Sequence, residues 1–391
     1  VYPALADKVK HDRIICLRRP VMNGLQSITK TTLMGPGPSC VHPEVYKALA
    51  MPTIGHLDPR FINIMDEIKV MLRQVMGTKN EITLPMSGTG SAGMEAAFVN
   101  LVERGDKVLV LVNGVFGKRM AEVARRLGAD VEECEFTWGT PVDPDRAAEK
   151  IREKKWQIVA IVHAETSTGV RNPVELIGPM VRESGALYIV DAVTSLGGIP
   201  VEVDAIGADL CYSGTQKCLS CPPGLAPLTI GERAIAKLKN RQTKVPNWYL
   251  DLSMIMDYWQ GAKRAYHHTA PINMLYGLHA ALSVLLDEGL PKAYERHRRM
   301  HEQLVKGLTS IGLELPVAEA YRLPMLNAVT VPEGVDEGAV RKALLETYDI
   351  EIGAGLGPLA GKIWRIGLMG YTAQEANVER VVRALQEILK R

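Results

Sequence analysis

Cysteine is scarce in this chain. Six cysteines (Cys16, Cys40, Cys134, Cys211, Cys218 and Cys221) are scattered through 391 residues, too few for a disulfide scaffold in a chain this long. Cys218-Leu219-Ser220-Cys221 has the Cys-x-x-Cys spacing but no second pair to complete a zinc site, so both are read as structural thiols. An excess of one charge is also missing. Lys and Arg number 46 against 44 Asp and Glu, a net charge of +2 with no long single-sign run. That argues against nucleic acid or an anionic membrane as a partner. No apolar stretch reaches spanning length, and no signal peptide is read. The end, Ile388-Leu389-Lys390-Arg391, is not a Ser-Lys-Leu address, so the expectation is a cytoplasmic protein. Internal repeats and low-complexity segments are absent.

What is present is ordinary globular composition, 47% hydrophobic and 23% charged, in a chain longer than one ordinary core. Residues 59–76 carry a helical stripe of Phe61, Ile64, Ile68, Met71, Leu72 and Val75. Between 80 and 230, β-branched runs alternate with helical patterns. Strands are expected at 82–86, 107–112, 131–133, 158–162, 187–190, 210–212 and 226–230. Helices are expected at 91–103, 117–127, 144–154 and 174–183. Nearly continuous apolar strands alternating with helices imply an α/β fold, a mainly parallel seven-stranded sheet covered on both faces. Two long helices, 272–286 and 291–311, precede a second alternation at 313–391, where Thr372-Ala373-Gln374-Glu375 reads as a capping box. The expected division is an arm at 1–30, a large domain at 31–287 and a smaller α+β domain at 288–391. Leu33 to Ser39, with Gly-Pro-Gly-Pro inside it, is expected to be a stiff irregular loop.

Lys217 ends Ser213-Gly214-Thr215-Gln216-Lys217, directly after the strand at 210–212. The preceding strand ends in Asp191. A lysine on a small-residue turn and a carboxylate at a neighbouring strand tip suit pyridoxal phosphate: the amine forms a Schiff base with the aldehyde, and the carboxylate keeps the pyridine nitrogen protonated. Gly88-Thr89-Gly90-Ser91-Ala92-Gly93 matches Gly-x-Gly-x-x-Gly, which alone suggests a dinucleotide and a nicotinamide dehydrogenase. The next strand, however, ends in Asn113-Gly114 and lacks the acidic residue that binds the ribose. A single-phosphate cup is therefore favoured, with the hydroxyls of Ser87, Thr89 and Ser91 around a helix N-terminus. His267 and His268 are adjacent but have no third ligand at a recognisable spacing, so they are read as structural and no metal is expected.

In order along residues 32–391, nine segments resemble the class V, fold type I pyridoxal-phosphate aminotransferases, and within them alanine–glyoxylate and serine–pyruvate aminotransferases. They are Leu-Met-Gly-Pro-Gly-Pro-Ser (33–39), Met-Asp-Glu-Ile-Lys (65–69), Ser-Gly-Thr-Gly-Ser (87–91), Asn-Gly-Val-Phe-Gly (113–117), His-Ala-Glu-Thr-Ser-Thr-Gly-Val (163–170), Val-Asp-Ala-Val (190–193), Ser-Gly-Thr-Gln-Lys (213–217), Tyr-His-His-Thr (266–269) and Arg-Ile-Gly (365–367). The resemblance implies Lys217 as the Schiff-base lysine, Asp191 as the pyridinium partner and Phe116 stacked on the ring. It implies Thr166 on the phenolic oxygen, with Thr89, Gly90, Ser91 and Gln216 on the phosphate. Tyr266 and Thr269 would reach the phosphate of the other subunit in a homodimer with shared active sites, and Arg365 would clamp the substrate carboxylate. The implied activity is ping-pong transamination between alanine or serine and glyoxylate or pyruvate. Ureidoglycine–glyoxylate and aminoethylphosphonate–pyruvate exchange are the alternatives within the family. A cysteine desulfurase would need a cysteine in the C-terminal part, and none follows Cys221.

Overall fold

Helix α1 (Pro59–Met76) illustrates how local signals set the elements of this computed structural model, which describes residues 24–261 and 264–390. Asp58 caps it by accepting the Arg60 amide, Pro59 supplies a first residue that needs no N–H partner, and Gly77 ends it in the left-handed conformation. Phe61, Met65, Ile68, Leu72 and Val75 recur every three or four residues and all face the core. Full burial of each such side chain contributes roughly 1.5–3 kcal/mol. The basic stretch at 8–19 and Cys16 lie outside the described residues.

Seven strands form the main sheet: β1 (Ile82–Ser87), β2 (Lys107–Val112), β3 (Asp130–Glu135), β4 (Ile158–Val162), β5 (Leu187–Asp191), β6 (Leu210–Tyr212) and β7 (Leu225–Ile230). Their order is β1-β7-β6-β5-β4-β2-β3. All pairings are parallel except those of β7, which runs antiparallel to both β1 and β6. The sheet is thus α/β and mostly parallel, as the alternation implies. β4 and β5 are buried along their whole length, because helices cover both faces. Among these are α2 (Gly90–Leu101), α3 (Val115–Arg126), α4 (Pro144–Glu153) and α5 (Val174–Ser184), which start and stop within two residues of the expected bounds. The consequence for function is geometric: the ends of β1, β2, β4, β5 and β6 open on one edge, and ligands of such sheets bind there.

Two further helices, α6 (Ile272–Glu288) and α7 (Leu290–Ser310), lead to a three-stranded antiparallel sheet. It consists of β8 (Leu326–Thr330), β9 (Gly353–Ala354) and β10 (Ile363–Gly367), in the order β8-β10-β9. Helices α8 (Glu337–Tyr348) and α9 (Glu375–Leu389) pack with it around Leu304, Val329, Trp364, Ile366 and Leu385. Met34 joins this second core, and Thr32–Leu33 pairs in parallel with Ile350–Glu351. The N-terminal loop is thereby held at 367 as well, where the Gly367 amide donates to the Met34 carbonyl at 2.6 Å.

One local reading is corrected. Helix α9 begins at Glu375 with Gln374 as its cap residue and no side-chain cap bond. Thr372 caps nothing there, because its hydroxyl accepts the Cys40 amide and donates to the Leu33 carbonyl. The tertiary partners outcompete the local capping box. Among the described residues no helix is long and apolar enough to cross a membrane, and no cluster of His, Cys, Asp or Glu could hold a metal ion. Cys218 and Cys221 are buried free thiols. Burial pushes both up to about 12, which leaves them protonated and inert at neutral pH.

Candidate active site

A cleft of about 160 Å³ opens at the strand ends, lined by Gly90, Ser91, Phe116, Thr166, Asp191, Gln216 and Lys217 among others. Seven of the residues singled out in the sequence therefore share one cavity. Thr89 stands beside it, as the exposed cap residue of α2. Arg365 does not line the cleft itself; it stands behind Thr166 on the small sheet, donating from Nη1 to the Thr166 carbonyl at 3.1 Å. Tyr266 and Thr269 do not line the cleft. They bond each other at 3.2 Å on the surface, where Tyr266 is 60% exposed.

Asp191 is the last residue of β5 and is buried. Its Oδ1 accepts the Val193 amide and its Oδ2 accepts the Tyr212 hydroxyl, both at 2.8 Å. Burial raises its carboxyl to about 6, against the pull of those two donors and of the Lys217 and Arg119 charges. Tyr212 was not singled out in the sequence. Its signal is register: it ends β6 directly opposite Asp191.

Lys217 is buried too, and Nζ donates to the Pro36 carbonyl. Desolvation lowers its ammonium to about 8, with Arg365 adding to the effect. Its loop is held from below: Ser39 donates its hydroxyl to the Lys217 carbonyl at 2.7 Å and its amide to the Gln216 carbonyl at 2.9 Å. Gly37 lies in the left-handed region at φ 111°, and a Cβ there would come within 2.5 Å of Lys217 Nζ. The Gly-Pro-Gly-Pro loop is thus the wall against which the amine rests.

Arg365 on β10 is buried, and its two hydrogen bonds go to the backbone carbonyls of Ala354 and Thr166. No carboxylate forms an ion pair with it among the described residues. Desolvation lowers its guanidinium to about 10. The Glu165 carboxyl partly offsets that effect without an ion-pair contact, so the guanidinium still has donors to offer an anion. Gln216 has a buried carboxamide oxygen without a partner, another polar group aimed at the cavity. Arg119, one turn after Phe116 on α3, also lines the cleft, its guanidinium 5.0 Å from the Phe116 ring centroid. It too escaped the sequence reading, although its helical spacing from Phe116 was legible.

Ser87, expected to offer its hydroxyl to the phosphate cup, is used elsewhere. The Trp248 carbonyl can only accept, so His267 Nε2 carries a hydrogen. With both rings neutral, His267 Nδ1 accepts from His268 Nδ1 at 2.8 Å, and His268 Nε2 accepts the Ser87 hydroxyl at 2.7 Å. All four ring nitrogens are engaged.

Comparison with known proteins fits this geometry. The family model for aminotransferase class V matches residues 43–381. The chain is 40% identical to the (S)-ureidoglycine–glyoxylate transaminase of Bacillus subtilis, over 92% of this chain and 91% of that one. It is 39% identical to the alanine–glyoxylate aminotransferase of Rattus norvegicus, over 93% and 89%. The crystal structure of the alanine–glyoxylate aminotransferase from Nostoc sp. superposes with a TM-score of 0.92 at 46% identity, covering 95% of this chain and all of that one. The chain belongs to the class V aminotransferases, pyridoxal-phosphate enzymes of fold type I that act on an amino acid and a keto acid.

Proposed function

We propose that this aminotransferase moves an amino group between a small amino acid, alanine or serine, and glyoxylate or pyruvate. The observation that carries this reading is Arg365: one buried guanidinium with backbone partners only, suited to a single α-carboxylate held by two parallel bonds. The relatives at 40% and 39% identity are both named for glyoxylate, which supports that acceptor. The Bacillus relative also keeps ureidoglycine open as the donor.

The cleft fits pyridoxal phosphate. The first amides of α2 with Thr89, Gly90 and Ser91 suit a phosphate, and the Gln216 side chain, which lines the same cleft, can add a fourth contact through its NH2 donor. Phe116 offers a ring face, Thr166 a hydroxyl for the phenolic oxygen, and Asp191 a carboxylate for the ring nitrogen. When bound, the cofactor supplies an aldehyde for amine exchange and a sink for the electron pair left at Cα. The protein's own residues do the rest. Arg365 orients the carboxylate and so aims the Cα–H bond at Lys217. Lys217, whose lowered pKa makes a neutral amine available near pH 8, takes that proton and returns it as the general acid. Asp191, fixed by Tyr212 and Val193, keeps a proton on the ring nitrogen. The first keto acid leaves before the second enters the same groups, which gives ping-pong kinetics.

The test is kcat/KM across alanine, serine, ureidoglycine, aspartate, glutamate and aminoethylphosphonate, with glyoxylate and pyruvate as acceptors. Aspartate and glutamate are expected to be at least about tenfold poorer than alanine, a difference of ~1.4 kcal/mol between transition states. Arg365→Ala raises KM for every α-amino acid and lowers kcat, because orientation is lost with binding. A preference for glutamate would overturn the donor assignment and make Arg119 the reader of a second carboxylate. A preference for ureidoglycine or the phosphonate would select the corresponding alternative.

We also propose a homodimer in cytoplasm, with Tyr266 and Thr269 serving the partner's phosphate. Their exposure and their absence from the cleft of their own chain support this. Lys217→Ala mixed with a Tyr266→Phe, Thr269→Ala double variant should regain part of the activity as heterodimers. Full activity of a dilute monomer would contradict the shared site.

A further inference from the structure

We infer that Glu165 is a positioning residue that sets the stacking ring of Phe116. The inference rests on the reading that Phe116 faces the cofactor.

It begins with an unusual helix start. The cap residue of α3 is Gly114, which has no side chain to accept the first-turn amides. The segment 165–167 accepts them instead. Ser167 Oγ takes the Val115 amide at 2.9 Å. Glu165 Oε2 takes the amides of Phe116 at 3.2 Å and Gly117 at 3.4 Å. The Lys118 amide closes the first intrahelical bond to the Gly114 carbonyl. Glu165 Oε1 in turn accepts the amide and the hydroxyl of Ser167. Every amide of the first turn is thus accounted for, and Phe116 is held by its own backbone N–H.

This is a costly way to cap a helix. Glu165 is fully buried, and burial raises its carboxyl to about 7 despite four donors. A serine or asparagine at 114 would cap the helix locally and more cheaply. A Cβ at 114, however, would collide with the Glu165 carboxyl and Ser167 Oγ. Gly114 therefore makes room for the remote carboxylate. A local rule broken at a cleft marks a functional constraint.

The gain lies in what the same three residues touch. Glu165 and Ser167 grip the helix that carries Phe116. Thr166, between them, lines the cleft, and its carbonyl accepts from Arg365. Ring face, hydroxyl and carboxylate clamp are spaced by one tripeptide.

The test is a double-mutant cycle on the full-length protein, read as pyridoxal-phosphate affinity of the stripped enzyme and as its cofactor-free melting temperature. Glu165→Gln keeps the shape but replaces one acceptor oxygen by a donor, and is expected to weaken cofactor binding about tenfold. Phe116→Ala weakens it further. In the double variant the Glu165 effect disappears, within roughly twofold of Phe116→Ala alone. A capping role confined to stability would instead lower the cofactor-free melting temperature and leave the two effects multiplicative, which overturns the inference. So does an unchanged affinity in Glu165→Gln. If Phe116→Ala itself binds like wild type, the stacking reading falls and this inference with it. Should Glu165→Gln not fold, Ser167→Ala takes its place. It removes the Val115 acceptor and one donor to Glu165, and its effect on affinity must also vanish without the Phe116 ring.

Discussion

Replacing Lys217 with alanine should abolish transamination, by at least about 10⁴-fold, while the cofactor still binds through the remaining residues of the cleft. Among the described residues no other lysine lines the cleft. Lys217 is the lysine that lines the cleft, and its position is fixed at both ends, by Ser39 on its carbonyl and Pro36 on its Nζ. Borohydride reduction of the wild type, followed by peptide mapping, should find the cofactor on Lys217; a label on another lysine would end the reading. The same burial gives a pH signature in the stripped enzyme. Its folded-state pKa of about 8 lies below the ordinary 10.5, so the neutral form is favoured in the fold. That contribution to stability is full above 10.5 and is lost as pH falls through about 8. Capture of the cofactor should accordingly rise through about pH 8, and stripped Lys217→Ala should melt higher than stripped wild type at pH 7. Equal melting temperatures would mean that the amine is not desolvated.

Much of this fold could be read from pattern because the pattern is local. Apolar runs bounded by turn residues gave the seven strands, and Asp58, Pro59 and Gly77 bound α1 by chemistry within a few residues. The α/β arrangement follows from alternation. What could not be read was set by residues far apart in the chain. β7 turns antiparallel against β1 and β6, yet an apolar six-residue run looks the same in either direction. Thr372 satisfies every local rule for a cap and is taken by Leu33 and Cys40, more than 300 positions away. Ser87 sits in the expected phosphate motif and is taken by His268.

The cleft shows the same division. Lys217, Asp191, Phe116 and Thr166 carry a chemical type at a strand tip or helix start, which a sequence displays. Tyr212, Glu165 and Ser39 act by holding those groups, and an ordinary tyrosine, glutamate or serine announces no such role. Only Tyr212 left a usable trace, since neighbouring parallel strands of similar length bring their ends together, Asp191 opposite Tyr212.

Asp191→Asn is expected to lower the rate by roughly 10²–10⁴-fold while leaving the fold intact, since breaking a buried carboxylate–cation pair on one side costs about 3–5 kcal/mol. The amide is isosteric. Its oxygen can still accept the Val193 amide, and its nitrogen can donate to Tyr212, whose hydroxyl turns from donor to acceptor. The Tyr212 hydroxyl hydrogen then loses its acceptor, a local cost that the melting temperature of the variant separates from loss of activity. What is lost is the negative charge that keeps a proton on the ring nitrogen. Stability should then change in the opposite sense to activity. In the stripped enzyme the carboxyl titrates near 6 rather than 3.8. This stabilising contribution is complete below 3.8 and is lost as pH rises through about 6, so at pH 7 the ionised carboxylate is a net cost. Stripped Asp191→Asn should therefore melt above stripped wild type at pH 7. Adding cofactor should reverse the order, because the wild-type carboxylate then gains a cation and the amide does not. Melting curves of both proteins, stripped and loaded, together with turnover would decide it. Near-normal turnover, or a cofactor-induced rise as large in the variant as in the wild type, would show that the charge of Asp191 does not act on the ring.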